Sequence, residues 1–133
     1  MFRGTDHTNY TSELTYAEMA SALGDLYRSG NLDAKTYYRA RHGFMKDVAK
    51  GRITLREVTD DLLLKAGHLL WRVGVQRNLH IRTYDALQVE SALAVSRALG
   101  VKVWFATTDR RLANTVRSLT DICATLVLKY RNP

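Results

Sequence analysis

Short β-favouring segments alternate with amphipathic helical segments along almost the whole chain, and this alternation constrains the fold most. No proline interrupts the pattern, because the only one is Pro133, and neither a repeat nor a Gly/Ser-rich linker separates two halves. Alternating strands and helices are typical of an α/β domain with parallel strands. We therefore predict one domain over residues 1–133.

The apolar spacing indicates where each element lies. NYTSEL predicts a short strand, and the helical spacing of Met19, Leu23 and Leu26 predicts a helix over residues 15–29 that stops at Gly30. The further expected elements are a helix over 33–50 with Tyr37, Tyr38, Phe44, Met45 and Val48 facing inward, the extended segment ITLREV, a helix over 59–73, a helix over 83–99 capped by Thr83 and ended by Gly100, the strand VKVWFAT, a helix over 109–118 and the strand ICATLVL.

Cysteine and histidine usage excludes several classes of site. Cys123 is the only cysteine and lies in an apolar run, so we expect a buried thiol and no disulfide. The four histidines lack the spacing of a zinc site. No apolar run reaches the roughly 18 residues that span a bilayer, and residues 1–10 carry no signal-peptide core, so we expect a cytoplasmic protein without a membrane segment.

The charge of the chain is strongly positive and unevenly distributed. The net charge is +7, yet residues 1–33 hold two arginines against five carboxylates, a balance of −3, which leaves +10 for the remaining hundred residues. Such an excess attracts polyanions, of which nucleic acid is the foremost candidate. A basic solvated surface without a specific partner is the alternative.

Three acidic residues share one kind of position. Glu18, Asp85 and Asp109 each lie in the first turn of a predicted helix, just after an extended segment. A carboxylate there is stabilised by the helix dipole without any further function, and Glu18 also fits a capping box with Thr15. In a parallel α/β sheet, however, such turns meet at the carboxyl edge of the strands, where ligands bind.

Clustered carboxylates repel one another unless a cation lies among them. Oxygen ligands suit Mg²⁺ or Mn²⁺, and a cation held by carboxylates is well suited to phosphodiester chemistry. The three acids therefore predict a divalent metal site within a basic surface. Neither a glycine-rich phosphate loop nor a G-x-S-x-G elbow is present to suggest nucleotide binding or a serine hydrolase.

Three stretches of sequence, in order, resemble one known family. YTSELTYAEMASAL, IRTYDALQVESALA and VWFATTDRRLANTVRSL are similar to segments of the PIN-domain ribonucleases, especially the VapC-type toxins of bacterial toxin–antitoxin pairs, and the resemblance covers residues 10–118. It implies a three-layer α/β/α fold around a parallel sheet. It also implies Mg²⁺- or Mn²⁺-dependent endonucleolytic cleavage of RNA, with an antitoxin protein as a partner.

Carried over by position, the resemblance assigns a role to individual residues. Glu18, Asp85 and Asp109 would be the catalytic acids that hold the metal, and Thr107 would support the site through its hydroxyl. Three arginines are candidates for contact with RNA phosphates, with a solvated helix face as the alternative: Arg82, Arg110 and Arg111.

The family pattern is incomplete at the N-terminus. PIN domains open with an apolar central strand that ends in an aspartate, whereas this chain has only GTDHTNY before its first expected strand. Asp6 is a candidate substitute for that aspartate, with a loop residue as the alternative. The missing first strand leaves open a catalytically inactive module that binds RNA or protein, and it predicts a homodimer. Glu90 departs from the small residue of the family, and we expect it at the surface or in an interface.

Overall fold

The chain forms two compact α/β units in a computed structural model that describes residues 8–132, and the units divide between Glu57 and Val58. The elements of the first unit are β1 (Asn9–Ser12), α1 (Leu14–Arg28), α2 (Ala34–Ala49) and β2 (Ile53–Arg56). The elements of the second unit are α3 (Asp60–Leu69), a π-helical segment (Leu70–Val75), α4 (Thr83–Leu99), β3 (Val103–Thr107), α5 (Arg110–Ser118) and β4 (Leu126–Tyr130).

The first unit is a βααβ crossover with a parallel strand pair. β1 and β2 run in parallel, with Asn9 opposite Ile53 and Ser12 opposite Arg56. The predicted stop at Gly30 is confirmed, since this glycine has a φ of +76° directly after the C-cap of α1. α2 begins where the carboxylate of Asp33 accepts a hydrogen bond from the backbone N–H of Thr36 at 2.7 Å.

Burial in the first unit is shallow. Neither α1 nor α2 has a buried residue, and Ser12 is the one buried residue within the stretch 8–57. Two side chains predicted to face inward are exposed, Tyr38 at 64% and Met45 at 43%. The prediction was wrong at these positions because it treated every apolar residue of the helix as part of one buried face.

The second unit contains its own parallel strand pair. Val103 of β3 lies opposite Leu126 of β4, and Thr107 lies opposite Tyr130, with α5 as the crossover. The expected last strand begins later than the run ICATLVL suggested. Cys123 instead lies in a turn, where its backbone N–H donates to the carbonyl of Leu119 at 2.7 Å. Its predicted burial is confirmed.

The apolar core of the described chain lies in the second unit. Helix α4 contributes most to it and buries residues on nearly every side. The buried apolar residues are Leu62, Ala66, Leu69, Val73, Ala86, Leu87, Val89, Leu93, Val95, Phe105, Leu112, Ala113, Val116, Leu119 and Cys123. Removal of this surface from water is the main favourable contribution to folding of the unit.

The two ends of α4 differ in how well the sequence predicted them. Gly100 ends the helix as expected, in the left-handed conformation with a φ of +66°. Thr83 was expected as the N-cap, but it is already helical and Arg82 is the N-cap. The reason is Asp85, whose carboxylate accepts the backbone N–H of Arg82 at 2.9 Å.

The predicted α/β class with parallel strands is confirmed, with the strands arranged as two separate two-stranded sheets in the described residues. The assignment of residues 1–133 to a single domain stays a prediction. Across residues 8–132, no helix is long and apolar enough to cross a membrane.

Candidate active site

Two of the three predicted acids share a cationic side chain in the second unit. The Nε of Arg82 lies 3.3 Å from Oδ2 of Asp85, and its Nη2 lies 2.9 Å from Oδ2 of Asp109. One guanidinium therefore bridges a carboxylate at the start of α4 and a carboxylate that follows β3. We call these three residues the Arg82 bridge.

Asp85 is held rigidly within this bridge. It lies in the first turn of α4, as predicted, and only 6% of its surface is exposed. Its Oδ2 accepts both the backbone N–H of Arg82 at 2.9 Å and the side-chain Nε–H of the same residue. A buried carboxylate needs such partners, because burial without them is costly.

Asp109 is the N-cap of α5, one residue before the helix. Its Oδ1 accepts the backbone N–H groups of Arg111 at 2.8 Å and Leu112 at 3.1 Å. The Leu112 N–H is the largest cause that lowers the pKa of Asp109 below its ordinary value. Burial is the second-largest cause and raises this pKa, whereas the Arg111 N–H and the charges of Arg82 and His80 lower it further. Asp109 is therefore an anion at neutral pH.

Thr107 and Thr115 fix the backbone on either side of the bridge. The hydroxyl oxygen of Thr107, the last residue of β3, accepts the backbone N–H of Asp109 at 3.0 Å. The hydroxyl of Thr115 on α5 donates to the carbonyl of His80 at 2.7 Å and ties the segment before Arg82 to that helix. Thr107 was a predicted site residue, whereas nothing in the sequence pattern singled out Thr115.

Glu18 belongs to the first unit, and its convergence with the other two acids stays a prediction. Helix α1 begins at Leu14, so Glu18 lies in the second turn rather than in the first. The expected capping box is wrong, since the helix starts before Thr15 and the Thr15 hydroxyl pairs with that of Thr11 at 2.6 Å. Asp6, the other acid considered for this site, lies outside the described residues.

Arg110 and Arg111 are exposed in the first turn of α5, directly after Asp109. Both guanidinium groups are therefore accessible to a dissolved polyanion. Arg82 was predicted as a third phosphate contact, and this stays a prediction; in the structure its guanidinium contacts the two carboxylates. The i, i+3 spacing of Arg82 and Asp85 was the one sequence signal for this pairing.

The donor set of the bridge fits a hard divalent cation in part. Within the described ranges, no group of three or more His, Cys, Asp or Glu side chains is placed to hold a metal ion. Two carboxylates are nevertheless sufficient protein ligands for Mg²⁺, which commonly retains several water molecules. The guanidinium of Arg82 stands between the carboxylates as a cation would, so a metal could take this position once Arg82 has moved.

No protein-family model matches the chain, and no curated protein or solved structure is significantly similar to it.

Proposed function

We propose that the chain is a metal-dependent endoribonuclease of the PIN-like class that hydrolyses RNA phosphodiester bonds. The observation that carries the proposal is the bridge between Asp85 and Asp109. Two neighbouring carboxylates repel each other unless a positive charge lies close to both. Arg82 supplies that charge in the structure, and Mg²⁺ or Mn²⁺ could supply it in the same way. The part of Glu18 stays a prediction of the family resemblance.

The distribution of basic residues supports RNA as the substrate. The net charge of +7 favours a polyanion, and Arg110 and Arg111 are exposed beside Asp109. Arginine suits phosphate because its planar guanidinium donates two parallel hydrogen bonds. We propose that these two residues hold the phosphates that flank the scissile bond.

Each residue of the candidate site has a distinct part in the proposed reaction. A bound divalent cation would polarise the scissile phosphate and lower the pKa of a water molecule. Asp85 and Asp109 would hold that cation, and the Thr107 hydroxyl keeps Asp109 in place by accepting the backbone N–H of Asp109. The backbone hydrogen bonds to Asp109 keep its carboxylate ionised, which ligation of a metal requires.

We further propose the three-layer α/β/α arrangement of the PIN class, completed by a strand that residues 8–132 do not contain. Two parallel crossover units support this proposal, because parallel pairs normally belong to larger sheets covered on both faces. A two-stranded sheet has no interior strand, so a second copy of the chain is a natural source of further pairing in a homodimer. An antitoxin protein is the proposed partner of a toxin-type activity.

The direct experiment is RNA cleavage followed on a denaturing gel. RNA incubated with the protein and Mn²⁺ or Mg²⁺ should be cut, and a chelator should stop the reaction. Asp85→Asn and Asp109→Asn should each abolish cutting, by a factor of roughly a hundred or more, because a neutral amide binds the metal poorly. Asp121→Asn is the matched control, since Asp121 pairs with Arg77 and not with Arg82.

The control should cut RNA at the parental rate, and circular dichroism should show all variants folded. Cleavage at full rate in both bridge variants would reject the proposal.

A catalytically silent PIN-like module that binds RNA or a protein is the second candidate. The engagement of both carboxylate oxygens of Asp109 favours this alternative, because backbone N–H groups occupy Oδ1 and Arg82 contacts Oδ2. Calorimetric titration with Mn²⁺ separates the two candidates. A silent module should bind RNA yet show no Mn²⁺ site that depends on Asp85 and Asp109.

A further inference from the structure

We infer that Arg82 is a built-in counter-ion that competes with the divalent cation for the Asp85 and Asp109 carboxylates, and that the displaced guanidinium then binds an RNA phosphate. The inference rests on the proposed function and deepens it, since it describes how the same site exchanges metal and substrate.

The competition follows from which oxygen atoms are engaged. Oδ1 of Asp109 is committed to two backbone N–H groups, so Oδ2 is the oxygen with capacity for a cation. That atom is the one that contacts Nη2 of Arg82, and Oδ2 of Asp85 contacts Nε of the same side chain. A metal ion bound between these oxygens would occupy the place of the guanidinium.

The side chain of Arg82 can move while its backbone remains in place. Two hydrogen bonds fix the backbone of Arg82, because its N–H donates to Asp85 and its carbonyl accepts the N–H of Ala86. The segment just before it is held as well, since the His80 carbonyl accepts the Thr115 hydroxyl. The side chain is 64% exposed, so it can rotate into solvent without leaving a cavity. Movement of the Arg82 side chain away from the carboxylates therefore breaks its two ion pairs and loses little packing.

In both states of the proposed exchange, a positive charge lies beside the two carboxylates. Without metal, Arg82 supplies one positive charge to two carboxylates; with metal, a doubly charged ion supplies both. The released guanidinium is then an additional cation close to the site, and a phosphate of bound RNA is its natural partner. Arg82 cannot occupy both positions at once, so its two roles are mutually exclusive.

The test is the variant Arg82→Gln, which removes the charge and keeps much of the length of the side chain. Calorimetric titration of the full chain with MnCl₂ should give a Kd lower than that of the parent by roughly tenfold, because the ion no longer displaces an internal partner. Binding of a short RNA oligonucleotide, measured with Ca²⁺ present, should weaken several-fold in the same variant. Loss of a merely structural contact would not tighten one ligand and weaken the other.

Two further variants complete the design. Arg77→Gln removes a different arginine–aspartate pair of the same unit, and it should leave both affinities at the parental value. Arg82→Lys keeps the charge but lacks the fork that reaches both carboxylates, so its Mn²⁺ affinity should lie between those of the parent and Arg82→Gln.

The outcomes distinguish this inference from the proposed function. If the parent binds Mn²⁺ and cuts RNA while Arg82→Gln binds Mn²⁺ no more tightly, the counter-ion role is overturned and the nuclease stands. If both affinities shift as expected but no RNA is cut, the nuclease falls and the counter-ion role stands. Unchanged RNA binding by Arg82→Gln would overturn the phosphate contact.

Discussion

At the scale of single residues, Arg77 and Asp121 form an ion pair of the second unit through two hydrogen bonds. Their contact is bidentate, with Nη1 at 3.0 Å from Oδ1 and Nη2 at 2.5 Å from Oδ2. The hydrogen bonds from Arg77 are the largest cause that lowers the pKa of Asp121, to about 2 from an ordinary 3.8. A carboxyl group with a depressed pKa in the folded state stabilises the fold only while it is ionised.

This pair predicts a specific dependence of stability on acid. The contribution of Asp121 should be complete above about pH 4 and should be lost as the pH falls towards about 2, the folded pKa. Asp109, whose pKa is also lowered, contributes with the same sign. Urea denaturation between pH 5 and pH 2 should show the free energy of unfolding falling, and Arg77→Gln should flatten the slope. An identical slope in that variant would show that the pair contributes nothing.

The sequence located the acids better than it located their partners. The position of Asp109 after an apolar strand could be predicted, because strand and helix periods fix where such a loop lies. Repulsion between clustered carboxylates was expected, and the structure instead pairs Asp85 and Asp109 through Arg82. The spacing of residues does not specify the direction of a long exposed side chain, so the contact of Arg82 with both carboxylates could not be predicted from the sequence.

At the scale of elements, α4 shows that a charged residue can be buried where the sequence predicts exposure. Glu90 was expected at the surface or in an interface, yet it is 8% exposed within this chain, which makes the surface expectation wrong. Its Oε2 lies 3.6 Å from Nη2 of Arg97, two turns further along α4. Because α4 is buried on almost every side, it has no wide exposed face on which Glu90 could lie.

The Glu90 and Arg97 pair predicts an asymmetric response to substitution. Glu90→Met should leave the free energy of unfolding unchanged or raise it, because it removes a buried charge and leaves a half-exposed Arg97 in water. Arg97→Met should lower that free energy by about 1–2 kcal/mol, because the buried carboxylate loses its partner. Urea denaturation at neutral pH measures both changes. Equal losses in the two variants would contradict this explanation.

At the scale of the whole molecule, the two units differ in how they are stabilised. The buried apolar residues identified between positions 8 and 132 all lie in the second unit. Helices α1 and α2 are regular α-helices of 15 and 16 residues but have no buried side chain. Local stability follows buried apolar contact more than hydrogen bonding alone.

Native-state hydrogen exchange should resolve this difference in the intact chain. Amides of α3 and α4 should exchange most slowly, and those of α1 and α2 should exchange through openings of lower free energy. Because both units contain α-helices and only the second has a buried apolar core among the described residues, the contrast reports mainly on packing. Equal protection in both units, measured by NMR or mass spectrometry, would show that the first unit is stabilised by contacts other than buried apolar ones.

The order of elements could be predicted almost completely, whereas the organisation of the sheet could not. Local periodicity set each helix and strand to within a few residues, except β4, whose start was delayed by the turn around Cys123. Strand pairing joins residues far apart in sequence, such as Asn9 with Ile53, so a local pattern does not specify it. Two separate strand pairs therefore became visible only in the structure.

The uneven distribution of buried side chains has a consequence during protein synthesis. The ribosome releases the amino-terminal half first, and within residues 8–57 that half buries only Ser12. At about 5–20 residues per second, several seconds pass before α4 emerges and the apolar core can assemble. Throughout that interval the described part of the nascent segment has no buried apolar side chain of its own.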